Sequence, residues 1–130
     1  QEHLYKTGLT NQDISRELDE LKLDRTPIIC DSAEPKSIEE LHRLGHNVKP
    51  SKKGPDSIRL GIDIMKRHKL FVLKDSLNAQ KEFRNYRWEV DRNGTQLNKP
   101  IDNNNHIIDA VRYICINRIG TPYSGKYFIT

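Results

Sequence analysis

An α/β fold with a partly parallel sheet is what this sequence predicts, on three observations. Amphipathic helical stretches alternate with short apolar runs along the chain, the order expected of units that lay helices against strands. Ile28-Ile29-Cys30 is wholly apolar, as in a strand buried on both faces. Asn93-Gly94 separates residues 87–91 from residues 95–97, and that dipeptide favours the tight turn of an antiparallel hairpin.

The elements follow in order. Thr10, with Asp13 three residues on, opens a capped helix, and Ile14, Leu18 and Leu21 recur at helical spacing through Leu23. Thr26-Pro27 stops it. After the strand at Ile28-Ile29-Cys30, Ser37 and Glu40 read as a capping box. Ile38, Leu41 and Leu44 form the apolar stripe and Gly45 the residue beyond the helix end. Asn47-Val48-Lys49 is a second short strand, and Ser51-Lys52-Lys53-Gly54-Pro55 a basic turn. Asp56 or Ser57 caps a third helix with Ile58, Ile62 and Met65 on its inner face. Leu70-Phe71-Val72-Leu73 reads as a strand, and Ser76 opens a helix to about Tyr86. The hairpin comes next, then a last helix carrying Ile107, Ala110, Val111, Ile114 and Cys115. Residues 120–130 read as an irregular tail rich in Gly and Pro.

Composition bounds the function. The chain has 130 residues, 31% charged and 35% hydrophobic, with a mean hydropathy of −0.79. One modest core fits that length. A net charge of +4 and a pI near 9.1 suit a nucleic-acid partner without requiring one. No apolar run is long enough to span a bilayer and no signal-peptide pattern opens the chain, so no membrane role is expected and the cytosol is the default. Cys30 and Cys115 lie in apolar runs, as buried thiols do in a reducing compartment. There the sequon Asn93-Gly94-Thr95 carries no meaning. The chain lacks an initiator Met, and Glu2 to Thr7 read as the end of a strand already under way, which predicts an excised fragment.

Chemistry in an open α/β sheet gathers at the carboxyl ends of its strands. Asp31 follows Ile28-Ile29-Cys30 directly. Its alternative role is to cap the turn at Ser32-Ala33-Glu34-Pro35. His106 and Asp109 stand three residues apart at the start of the last helix, which brings their Cβ atoms to about 5–6 Å. A His and a carboxylate so placed can share a divalent metal; alternatively Asp109 only complements the helix dipole. Asp31 and Asp109 together offer the hard oxygen donors that Mg²⁺ or Mn²⁺ takes, and two such ions about 4 Å apart hydrolyse phosphodiesters. Lys52 and Lys53 are candidates for holding backbone phosphates, or simply a solvated turn. Tyr86 and Trp88 suit either base stacking or a core.

Two other patterns lead nowhere. Gly120-Thr121-Pro122-Tyr123-Ser124-Gly125-Lys126-Tyr127 imitates a phosphate-binding loop, but Tyr127 stands where Ser or Thr should bind Mg²⁺ and too few residues follow for the helix. His42 and His46 have a zinc-like spacing, but Gly45 interrupts the helix between them and a third ligand is lacking.

The stretch from Asp31 to Leu41, the segment Lys53-Gly54-Pro55-Asp56-Ser57-Ile58, Tyr86-Arg87-Trp88 and the run from Asn105 to Tyr113 together resemble phage and prophage terminase large subunits of the PBSX-like group. The resemblance runs from about Tyr5 to Tyr113. It implies a ribonuclease-H-like mixed sheet flanked by helices and a two-metal endonuclease that cleaves double-stranded DNA during genome packaging. Asp31 matches the family's Asp at the end of the fourth strand, and His106 and Asp109 match its His and Asp on the late helix. Mg²⁺ or Mn²⁺ would be the cofactor, the terminase small subunit and portal protein the partners, and the bacterial host cytoplasm the location. The family's first catalytic Asp, on the first strand of the fold, has no match in this sequence, nor have the first strands or the ATPase domain. Impaired activity is therefore expected, as is exposure of unpaired strand edges. The alternative is a non-catalytic module that docks to DNA or to the portal.

Overall fold

A computed structural model describes residues 1–119. It contains five α-helices and four short strands: α1 (Asn11–Glu20), β1 (Ile28–Cys30), α2 (Pro35–Arg43), β2 (Val48–Pro50), α3 (Ser57–Lys66), α4 (Leu77–Asn85), β3 (Trp88–Val90), β4 (Gln96–Pro100) and α5 (His106–Ile114). A π-helical turn, Cys115–Ile119, continues α5. The tail at 120–130 and the loop-like run from Gly120 to Tyr127 lie outside the described residues.

Local sequence chemistry explains most boundaries. Thr10 Oγ1 accepts from the Asp13 amide at 3.2 Å, while the Asp13 carboxylate takes the Thr10 amide at 2.9 Å, so α1 begins with a complete capping box. It ends at Glu20, short of Leu23. Beyond that end Lys22 and Asp24 both take positive φ, which halts the helix before Pro27 acts. α2 begins at Pro35, two residues ahead of Ser37, because a proline is pre-organised for the first helical position and needs no amide partner there. Ser37 therefore makes no capping box. At the other end Gly45, at φ +99°, donates to the His42 carbonyl, and the next amide, His46, reaches the Leu41 carbonyl. That pair of bonds is a Schellman motif, which only a residue tolerant of positive φ closes cheaply.

β1 and β2 pair in parallel, with Ile28 opposite Val48 and Cys30 opposite Pro50. Each residue of β1 is half-buried rather than sealed on both faces, since this sheet has two strands among the described residues. β3 and β4 form the expected antiparallel hairpin, with a register shift between Trp88 and Val90. Its turn is held by Asp91, whose carboxylate accepts the Asn93 and Thr95 amides at 2.8 Å each, and by Gly94 at φ +81°.

Two expected strands do not form. Leu70-Phe71-Val72-Leu73 has no ladder partner; the carbonyl of Leu73 instead accepts the Ser76 amide and the Gln80 side chain at the start of α4. Phe71 is left 81% exposed. Residues 1–7 form no strand, and they are tied down by side chains. The Glu2 carboxylate accepts from Asn78 Nδ2 at 2.6 Å and from the Ala79 amide at 3.1 Å, capping α4 from a distance.

The core lies between α3 and α5. Ile64 and Met65 of α3 meet Ile108, Cys115 and Ile116 of α5 and its π-helical extension, with Phe83, Tyr86 and Val111 packed at the margin. Ile58, expected on the inner face of α3, is 44% exposed; Gly61 takes the inner position. The approach there is close. A Cβ at Gly61 would lie 2.1 Å from Arg112 Cγ and 2.8 Å from Cδ, so the bare glycine is what lets the Arg112 side chain pass between the helices.

Candidate active site

Asp31 is delivered by the end of β1. Its Oδ1 accepts the Ala33 amide at 2.9 Å, so it turns the chain into α2 as well as projecting a carboxylate. The basic turn is laid beside it. The Ser51 amide extends the strand pairing to the Cys30 carbonyl at 2.7 Å, the Ser32 amide donates to buried Ser51 Oγ at 3.3 Å, and the Lys52 amide donates to Asn117 Oδ1. These bonds place Lys53 Nζ 2.5 Å from Asp31 Oδ1. The two side chains are 43% and 45% exposed, so the pair sits at the protein surface.

From α5, Tyr113 donates its hydroxyl to Asp31 Oδ2 at 3.2 Å. Lys53 Nζ lies 5.6 Å from the centre of the same ring. One turn back on α5, Asp109 is held by Arg112, whose Nη2 donates at 2.9 Å and Nε at 3.3 Å. The Arg112 guanidinium stacks 4.9 Å from the Tyr113 ring centre and is itself buried, with 5% exposure.

The electrostatics agree with this arrangement. Lys53, then the Ala33 amide, holds the Asp31 carboxyl below its usual range, and the same ion pair raises the Lys53 ammonium. Tyr113 is pushed up by burial first, then by the Asp109 and Asp31 carboxylates. Both acids thus act on one phenol, from a strand end and a helix distant in sequence. Tyr86 is raised by burial and then by Asp109, and its buried hydroxyl has no hydrogen-bond partner among the described residues.

Other expected residues stand apart from this group. His106 opens α5, but its ring lies edge-on to Tyr5, with centroids 6.2 Å apart, and faces a groove lined by Leu4, Leu9 and Ile14. Among the described residues, no three His, Cys, Asp or Glu side chains gather as a metal-binding group. Lys52 is exposed. His46, weighed above as a zinc ligand, bonds Ser15 Oγ at 2.7 Å. Trp88 packs beneath Lys66, 5.6 Å from its ring centre. Cys30 and Cys115 are free thiols raised by burial.

Asp31 and Asp109 suit a hard divalent cation in kind: both are oxygen donors, and Mg²⁺ or Mn²⁺ retains several waters beside one or two carboxylates. Arg112 and Tyr113 were not assigned roles from sequence. The available signal was spacing, because residues three and four beyond Asp109 share its helix face. Glu82 was also missed. It is 2% exposed and accepts the Ile107 and Ile108 amides at 2.8 and 3.1 Å, capping α5, and the Tyr5 hydroxyl at 3.1 Å.

The family model of the terminase RNase H-like domain matches residues 1–115. The chain belongs to that family. This terminase domain is 38% identical over 98 residues to the terminase large subunit of Bacillus phage SPP1, a match covering 71% of the chain and 23% of that relative. The chain therefore spans about a quarter of the length of its SPP1 relative. Among solved structures it resembles the nuclease domain of the SPP1 large terminase, crystallised with bound Mn, at a TM-score of 0.77 and 31% identity. That match covers 88% of the chain and 67% of the SPP1 nuclease domain. The RNase H-like α/β fold of this terminase domain is thereby established. No helix among its described residues is long and apolar enough to cross a membrane.

Proposed function

We propose that this terminase domain is a metal-dependent endonuclease that cuts double-stranded DNA during phage genome packaging in the bacterial host. The observation that carries the reading is the convergence of Asp31 and Asp109 on Tyr113. A carboxylate at a strand end and another on a neighbouring helix, sharing one ring between them, suit the place where α/β enzymes build their sites. The Mn-bound SPP1 nuclease domain supports the choice of a divalent cation, Mg²⁺ or Mn²⁺.

In this reading Asp31 and Asp109 are the ligands. His106, whose ring packs on Tyr5, would have to turn toward the acids to serve as a third ligand or as a proton carrier at the attacking water or leaving oxygen. When bound, the cation activates water and stabilises the charge on the leaving oxygen. Lys53 neutralises Asp31 in the free domain and, with Lys52, offers positive charge to the DNA backbone. Arg112 holds and aims the Asp109 carboxylate. The terminase small subunit and the portal protein are the proposed protein partners.

Plasmid nicking in Mn²⁺ tests the assignment. Weak nicking by the unaltered domain, in keeping with the unmatched first catalytic Asp, and its loss in Asp109→Asn, with an unchanged circular-dichroism spectrum, is the expected result. Undiminished cleavage by Asp109→Asn would refute it.

A further inference from the structure

Arg112 and Tyr113 are adjacent residues whose side chains lead to the two different carboxylates of the proposed site. Arg112 grips Asp109 with two donors. Its guanidinium lies on the Tyr113 ring, and the Tyr113 hydroxyl reaches across to Asp31 on β1. The path from one acid to the other therefore runs through a hydrogen-bonded fork, a stacked ring and a single hydroxyl. Arg112 packs in turn against α3 at the space bare Gly61 leaves open: a Cβ there would overlap Arg112 Cγ at 2.1 Å.

We infer that Arg112 and Tyr113 form a brace that sets the spacing and orientation of Asp31 and Asp109, acting as positioning residues for the metal site. The inference rests on the reading of those two acids as metal ligands. Three features favour a brace over ordinary packing. The buried guanidinium spends two of its five donors on one carboxylate oxygen, a geometry that a lysine does not reproduce. The Tyr113 hydroxyl occupies Asp31 Oδ2 while Lys53 and the Ala33 amide occupy Oδ1, so the phenol orients the carboxylate and still leaves the second lone pair of Oδ2 for a cation. Finally, the acids sit on separate elements, β1 and α5, so without a cross-link their separation would follow every small shift between strand and helix.

Groups that orient metal ligands typically govern affinity by about ten- to a hundredfold. Calorimetric titration of this chain with MnCl₂, in the absence of DNA, separates the possibilities. Tyr113→Phe keeps the ring and its stacking and deletes only the hydroxyl; Arg112→Lys keeps the charge and deletes the fork. Each is expected to weaken Mn²⁺ binding about tenfold or more, with the melting temperature of Tyr113→Phe within about 2 °C of the parent. Asp31→Asn and Asp109→Asn should remove binding altogether. Parent-like Mn²⁺ affinity in both Tyr113→Phe and Arg112→Lys, with binding lost in the two Asn variants, would overturn the brace and leave the ligands standing. Parent-like affinity in the Asn variants would overturn the ligand assignment itself.

Discussion

Lys53 Nζ and the Tyr113 hydroxyl take different oxygens of Asp31, and the consequence for stability has a definite sign. The folded Asp31 carboxyl is depressed below its ordinary value of 3.8, so its contribution is present above that value and lost as pH falls through the lower folded one. The folded Lys53 ammonium is raised above 10.5, so its contribution is present below that value and lost as pH climbs through the higher one. The pair therefore operates between about pH 4 and pH 10. Because both side chains are nearly half exposed, the effect is small and falls with salt. Thermal melts of Asp31→Asn should fall slightly below the parent at neutral pH and converge with it well below pH 4. A gap that persists in acid would contradict this account. Glu82 is a different matter, since it is almost fully buried and serves three donors. Glu82→Ala orphans two first-turn amides and a phenol, and urea unfolding should show a loss of about 2 kcal/mol. Asp31 and Asp109 stood out in the sequence as candidates because a carboxylate after an apolar strand and one in the first turn of a helix are positional signals. Glu82 was not, because nothing in the spacing of α4 distinguishes a buried glutamate from a solvated one.

Among the elements, the contact between α3 and α5 depends most on one residue. Gly61→Ala would gain helix propensity in isolation, about 1 kcal/mol. Here the new methyl group meets Arg112 at Cγ, near the root of the side chain rather than its flexible end. The whole side chain must move, and Asp109 loses its fork. A net loss of about 1–3 kcal/mol in urea unfolding is expected, and an unchanged midpoint would show that the helices adjust freely. The same contact explains part of the error in reading α3 from its sequence. Ile58, Ile62 and Met65 have helical spacing, but the inner face also needed a position without a side chain, which moved Ile58 outward. Signals confined to a few neighbouring residues, such as the Thr10 and Asp13 box, Gly45 and the Asn93-Gly94 turn, were legible because their hydrogen bonds close within the segment. Leu70 to Leu73 was misread for the converse reason: a strand exists only by virtue of a partner, and the carbonyl of Leu73 was claimed by the start of α4.

For the molecule as a whole, the exposed run from Leu70 to Leu73 marks where stability does not reside. Phe71→Ser should leave the urea midpoint within about 0.5 kcal/mol of the parent, since the ring is 81% exposed and its neighbour is Lys69; a large loss would mean that the ring is covered in solution. The N-terminal segment behaves oppositely. It has no regular structure, yet Glu2 caps α4 and Tyr5 bonds Glu82, which caps α5. First-turn helix amides normally have no intrahelical acceptor, so their protons are lost quickly to solvent deuterium. The amide protons of Ile107 and Ile108 are instead directed at a buried carboxylate whose other oxygen is held by the segment. Their exchange rates become a built-in gauge: slow while Tyr5 is docked, fast once it lets go, and readable by magnetic resonance one residue from His106.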